Sequence, residues 1–121
     1  MNSDKSVTVY FERCQRIALE MCRAIYFFTT CEIEFSRYLD TGEQVTGFVE
    51  WDGEWTWGWS LEVDDPEGNT IPDTGSGTDL HYEFDFTASH SGEYTIRLTN
   101  LGDFYPEDGI MEICPPGWTQ I

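Results

Sequence analysis

The chain has almost no positive charge. Lys5 is its one lysine, and Arg13, Arg16, Arg23, Arg37 and Arg97 complete 6 cations against 23 acidic residues. Such a surface repels phosphate backbones, which argues against a nucleic-acid partner. It disfavours anionic membranes for the same reason. Long apolar runs are missing too. No stretch reaches the roughly 18 residues that a membrane-spanning helix needs, so no membrane span is expected. The opening residues, MNSDKSVTVYFERC, have no cationic segment leading into an apolar one, as a signal peptide would. The expectation is a cytoplasmic protein if the chain starts here, and an extracellular or cell-envelope protein if a leader has been removed.

Metal and catalytic motifs are equally scarce. The cysteines are Cys14, Cys22, Cys31 and Cys114. Their spacing is not that of a zinc site, and their number allows three disulfide pairings. With no secretion signal, buried thiols are the expected state. No nucleophile elbow, phosphate loop or zinc-binding helix motif occurs. His81 and His90 are the only histidines. His81 falls on the polar face of a strand, and His90 lies in a turn between Ser89 and Ser91. Adjacent serine and histidine do not make a triad, which is defined by geometry. No enzymatic activity is expected.

What is present is a core. Hydrophobic residues make up 40% of the chain and aromatics 16%, so it is not disordered despite a net charge of −17. The acids are spread along the whole length. That distribution suits a solvated surface adapted to high salt, where screening relieves self-repulsion; a specific site for a cation or a basic protein is the other reading.

The apolar residues alternate with polar ones, the period of half-buried strands. Residues 6–11 read as a first strand. Residues 14–22 fit a helical or irregular piece through Ile17, Met21 and Cys22, and 23–37 read as a long strand. Asp40-Thr41-Gly42-Glu43 is a turn. Residues 44–51 follow, with Val45, Gly47, Val49 and Trp51 on one face. Asp52-Gly53 signals a two-residue hairpin. Residues 54–63 would return antiparallel, with Trp55, Trp57, Trp59, Leu61 and Val63 on the core side. Asp65-Pro66-Glu67-Gly68-Asn69 is a turn of defined chemistry. Leu80, Tyr82, Phe84 and Phe86 make the inward face of another strand, and Tyr94, Ile96 and Leu98 that of the next. A short last strand spans 110–114, and Pro115-Pro116-Gly117 ends it. Many short alternating strands with turn signals define an all-β fold, an antiparallel β-sandwich.

Asp65-Pro66-x-Gly68-Asn69, then Phe84-x-Phe86-x-Ala88, then Gly92-x-Tyr94 and Asn100 resemble the GOLD (Golgi dynamics) domain. Gly42-Glu43-x-Val45-x-Gly47 upstream fits the same pattern. The resemblance covers about residues 31–113. It implies a jelly-roll-like sandwich over 31–114, an N-terminal extension over 1–30 holding a strand or helix, and a C-terminal tail over 115–121. In the cargo receptors of that family a cysteine stands where this chain has Arg97, and it pairs with the counterpart of Cys31. Cys31 is therefore expected to have lost its mate. With Ile121 as the last residue, the receptors' coiled coil, membrane span and sorting tail are not expected, and a cargo-receptor role is not carried over. What the resemblance implies is a stand-alone prokaryotic member, a non-catalytic protein-interaction module with a protein partner; the single lysine and the charge of −17 give it a haloarchaeal look. Homo-oligomerisation is left open.

The prepeptidase C-terminal sandwich has similar grammar and gives the alternative reading, a carbohydrate-binding or calcium-dependent adhesion module. Trp51 and Trp55 are the ligand-stacking candidates, although alternating tryptophans more often fill a core. Asp64, Asp65, Glu67, Asp73 and Asp79 are the oxygen ligands on offer for calcium. Their spacing is not that of an EF-hand, and turn capping accounts for them equally well. Calcium is the one cofactor candidate; otherwise none is expected.

Overall fold

A computed structural model describes residues 14–20, 31–52, 59–72, 74, 80–100 and 108–121. Eight strands occupy them: β1 (Gln15–Leu19), β2 (Cys31–Leu39), β3 (Gln44–Asp52), β4 (Trp59–Asp64), β5 (His81–Thr87), β6 (Gly92–Asn100), β7 (Asp108–Cys114) and β8 (Thr119–Gln120). They form two four-stranded antiparallel sheets, ordered β1-β7-β3-β5 and β4-β6-β2-β8. The fold is the expected all-β sandwich. Odd-numbered strands build the first sheet and even-numbered strands the second. Among the described strands, consecutive ones therefore lie in different sheets and do not pair with each other.

That topology overturns the hairpin expected at Asp52-Gly53. One edge of β3 is taken by β5 and the other by β7, with Glu50 opposite both His81 and Ile110. A strand has only two edges, so none remains for β4, which pairs with β6 instead. Trp51 and Trp59 still meet, but across the core, with ring centroids 5.8 Å apart and planes at 74°.

The helical reading of 14–22 is also corrected where it is described. Gln15–Leu19 is a strand, paired with β7 from Gln15↔Ile113 to Leu19↔Gly109. Continuing that register places Cys14 opposite Cys114, and the two are disulfide-bonded. The covalent link and the ladder favour the extended state. Leu19 then points inward, while Arg16 points out to pair with Glu112 at 3.1 Å. The strand expected over 6–11 and the 23–30 part of the next lie outside the described residues.

The expectation of reduced thiols fails as well. Cys31 is disulfide-bonded too, and no described cysteine is free. It has not lost a mate. The β1–β7 pairing brings Cys14 and Cys114 together, a proximity that their separation of 100 residues does not reveal.

The inward faces agree with the alternation in the sequence. The first sheet contributes Leu19, Val45, Val49, Trp51, Phe84, Phe86, Met111 and Ile113 to the core, and the second Phe35, Leu39, Trp59, Leu61, Val63, Tyr94, Ile96 and Leu98. Each fully buried aliphatic side chain contributes about 1.5–3 kcal/mol relative to exposure. Gly47 is required by this packing. A Cβ there would lie 2.6 Å from Phe84 Cζ and 2.5 Å from the Glu112 carbonyl oxygen.

The sheets extend beyond residues 31–114 on both sides. After Pro115-Pro116-Gly117 the chain re-enters the core with Trp118, which is 4% exposed. The Gln15 side chain holds it there. Its Oε1 accepts from the Gly117 and Trp118 amides at 2.9 and 2.8 Å, and its Nε2 donates to the Trp118 carbonyl at 2.8 Å. Arg37 Nε donates to the Pro116 carbonyl at 2.8 Å. β8 then adds two residues to the edge of β2.

Candidate functional site

Three groupings of polar side chains stand out, one on the outer face of the second sheet and one at each end of the sandwich.

The outer face of the second sheet centres on Arg97. Its guanidinium reaches Asp64 at 2.7 Å, Glu62 at 3.0 Å, Glu34 at 3.7 Å and Glu32 at 4.0 Å. The register explains the gathering: Arg97 faces Glu34 on β2 and Glu62 on β4. One cation thus holds four carboxylates on neighbouring strands. Burial pushes the Asp64 carboxyl upward. Hydrogen bonds from Arg97 and Thr70, with the guanidinium charge, outweigh it and leave Asp64 below its ordinary value. The hydrogen bond to Asp64, then that to Glu62, holds Arg97 more firmly protonated than usual.

At the end where β3 finishes and β5 and β7 begin lies a hollow of about 330 Å³. Glu50, Asp52 and Asp108 supply carboxylates around it, and Trp51, Leu80 and Ile110 supply apolar walls. His81 stands at its rim. The imidazole bridges Glu50 Oε2 at 3.0 Å and Glu83 Oε2 at 3.3 Å, and stacks on Phe48 with centroids 5.1 Å apart. The hydrogen bonds to Glu50 and then Glu83 raise its pKa above the usual imidazole value.

At the opposite end, the turn after β4 packs on the turn before β6. Asp65 Oδ1 accepts from the amides of Glu67 and Asn69, both at 2.9 Å, which fixes the first turn. Pro66 packs against Gly92; a Cβ at Gly92 would be 2.4 Å from Pro66 Cγ. This contact brings Asp65 and Glu67 to His90, with one ligand-type atom of each within 4.8 Å of the others. His90 Nδ1 is 3.0 Å from Ser89 Oγ.

The residues singled out from sequence are distributed among these places. Trp51 lines the hollow but is only 4% exposed, its ring committed to Trp59. Trp55 lies outside the described residues, as do Asp73 and Asp79. Asp64 does not join Asp65 and Glu67: it is bound to Arg97 and to Thr70 Oγ1 at 2.9 Å. The expected set of five carboxylates is not gathered among the described residues.

Sequence reading missed His90 as the neighbour of Asp65 and Glu67, because two turns far apart in sequence meet at one end. It missed the Arg97 cluster too. The signal for that was present in the alternating acids Glu32-x-Glu34 and Glu62-x-Asp64 on two strand faces. Glu50, Asp52 and Asp108 carried no signal, since only the β3–β7 pairing unites them.

No family model matches the chain, and no curated protein matches it.

Proposed function

We propose that this domain is a non-catalytic protein-interaction module of GOLD-like type that docks a basic partner. The observation carrying this reading is the hollow between β3, β5 and β7. Three acidic residues, Glu50, Asp52 and Asp108, line it beside the apolar Trp51, Leu80 and Ile110. A lysine or arginine side chain has the matching shape, an apolar stem with a cationic head. A net charge of −17 would steer such a partner from a distance and make association fall with ionic strength. The resemblance over 31–113 favours the same class. The Ser89–His90 contact lacks what a triad needs, because His90 Nε2 makes no hydrogen bond to an orienting acid.

The disulfides favour the extracellular or cell-envelope setting, since such bonds persist under oxidising conditions. The spread of acids favours adaptation to high salt.

Titration of the disulfide-intact domain with lysine- or arginine-containing peptides, followed by calorimetry, tests the docking reading. Binding should weaken at least tenfold in Glu50→Gln/Asp108→Asn and be absent for acidic peptides of equal length. Binding indifferent to that double substitution would refute it. So would catalytic turnover that depends on His81 or His90.

A further inference from the structure

The two turns at the far end of the sandwich hold an arrangement that docking does not explain. Asp65, Glu67 and His90 present two carboxylates and one imidazole within 4.8 Å of one another. His90 Nε2 is buried and finds no hydrogen-bond partner among the described residues. A buried ring nitrogen left this way calls for an ion or a water. We infer that these three residues form a binding site for a divalent transition-metal ion of the zinc class.

The chemistry selects the ion. Calcium takes six to eight oxygen ligands, and an imidazole is not among them. Zinc and its neighbours accept nitrogen beside carboxylate oxygen in fours. With metal–ligand bonds of roughly 2.0–2.2 Å, tetrahedral ligand atoms sit about 3.4 Å apart. The three ligand atoms lie within 4.8 Å of one another, and an ion would draw them closer. Glu67 is exposed and free to swing, whereas Asp65 is fixed by the two amides bound to its Oδ1.

The surroundings of His90 suit a ligand. Metal at Nε2 requires the tautomer with Nδ1 protonated, and Ser89 Oγ lies 3.0 Å from Nδ1 to accept that proton. Such a partner fixes ring orientation in metal sites. The Tyr94 hydroxyl donates to the His90 carbonyl at 2.7 Å and so ties the same backbone to the core. Pro66 on Gly92 holds the two turns together. The site is thus mounted on rigid parts. Three protein ligands leave a fourth position for water or for a donor from a partner.

The test uses chelator-stripped protein with its disulfides intact, in buffer without thiols. Calorimetric titration with Zn²⁺ should give one equivalent bound. Affinity should fall at least tenfold in His90→Gln and in Glu67→Gln, and stay unchanged in His81→Gln. Co²⁺ should give the visible absorption of a four-coordinate ion, lost with the same two substitutions. Should His90→Gln fail to fold, ¹⁵N NMR of the unmodified protein decides, because Zn²⁺ must shift His90 Nε2 and leave His81 in place. Zinc binding that follows His81 with Glu50 and Glu83 overturns the inference. So does binding indifferent to His90, equal affinity for Ca²⁺, or no saturable binding.

Discussion

Tyr94 has no exposed surface, yet its hydroxyl is satisfied. The sequence places it inward with Ile96 and Leu98 and predicts a backbone partner near the Ser89–Gly92 turn. Both hold, since the hydroxyl donates to the His90 carbonyl at 2.7 Å. The ring stacks on Phe86, centroids 6.0 Å apart. Alternation gives the face of a residue but not its neighbour across the core. Tyr94→Phe should cost about 1 kcal/mol for the lost hydrogen bond. Tyr94→Ala should cost about 3–5 kcal/mol. Urea denaturation would measure both, and a parental midpoint for the alanine variant would invert the register of β6.

Arg97 teaches the opposite lesson. On an outward strand position it reads as a residue that tolerates alanine within about 0.5 kcal/mol. Its side chain is only 19% exposed and sits among four carboxylates. Removing it leaves those acids facing one another, so Arg97→Ala should cost about 1–2 kcal/mol. That is more than an exposed pair and less than a fully buried one. The pH dependence is tied to Asp64. Its folded pKa is lowered, so its contribution is complete above the unfolded value of about 3.9 and fades as pH falls through the folded value. Denaturation curves for Arg97→Ala and the parent should converge in that acidic range. A gap that stays constant down to pH 2 would assign the cost to packing.

At the scale of elements, the strands were legible and their partners were not. Val45, Val49, Leu61, Val63, Phe84 and Ile96 announce their faces by period two. Nothing local says that β3 pairs with β5 and β7 across 30 or more residues (Glu50 with His81, for instance). β1 shows a second limit. Ile17 and Leu19 fit a strand and Ile17 with Met21 fits a helix, so the choice fell to contacts with β7. The Cys14–Cys114 disulfide reinforces that choice across a separation of 100 residues. Closing a loop of that size removes denatured-state entropy worth about 4.7 kcal/mol in the chain-entropy account. Cys14→Ser/Cys114→Ser should therefore lose about 2–5 kcal/mol. Thermal melts without reductant would show it, and an unchanged melting temperature would mean that β1 holds by its ladder alone.

For the whole molecule, charge is the dominant variable. With −17 at neutral pH, folding compresses like charges, and salt relieves the repulsion. The Debye length falls to about 3 Å at 1 M. The melting temperature should rise steadily from 0.05 to about 2 M KCl as screening strengthens. A flat response would remove salt adaptation as the reason for the acids. His81 reports the same field locally. Its folded pKa is raised by Glu50 and Glu83. Its stabilising contribution is thus complete below the unfolded value of about 6.5 and is lost as pH rises through the folded one. NMR titration should place its midpoint above 6.5, and Glu50→Gln should bring it down. Charge could be read from composition alone. Its focus into a hollow could not, because Glu50, Asp52 and Asp108 become neighbours only when β3 and β7 pair.

The Cys14–Cys114 bond also has a mechanical meaning. Suppose the chain is pulled from points before Cys14 and after Cys114, as between a surface and a tether. Tension then enters at one sulfur and leaves at the other. The strands from Gln15 to Ile113 lie inside the closed loop and carry none of it. Among the described residues the load falls on the stretch beyond Cys114, where Trp118 and β8 are held by Gln15 and by two residues of pairing with β2. A module wired in this way would pass force along while keeping its sandwich, and whatever that sandwich binds, intact.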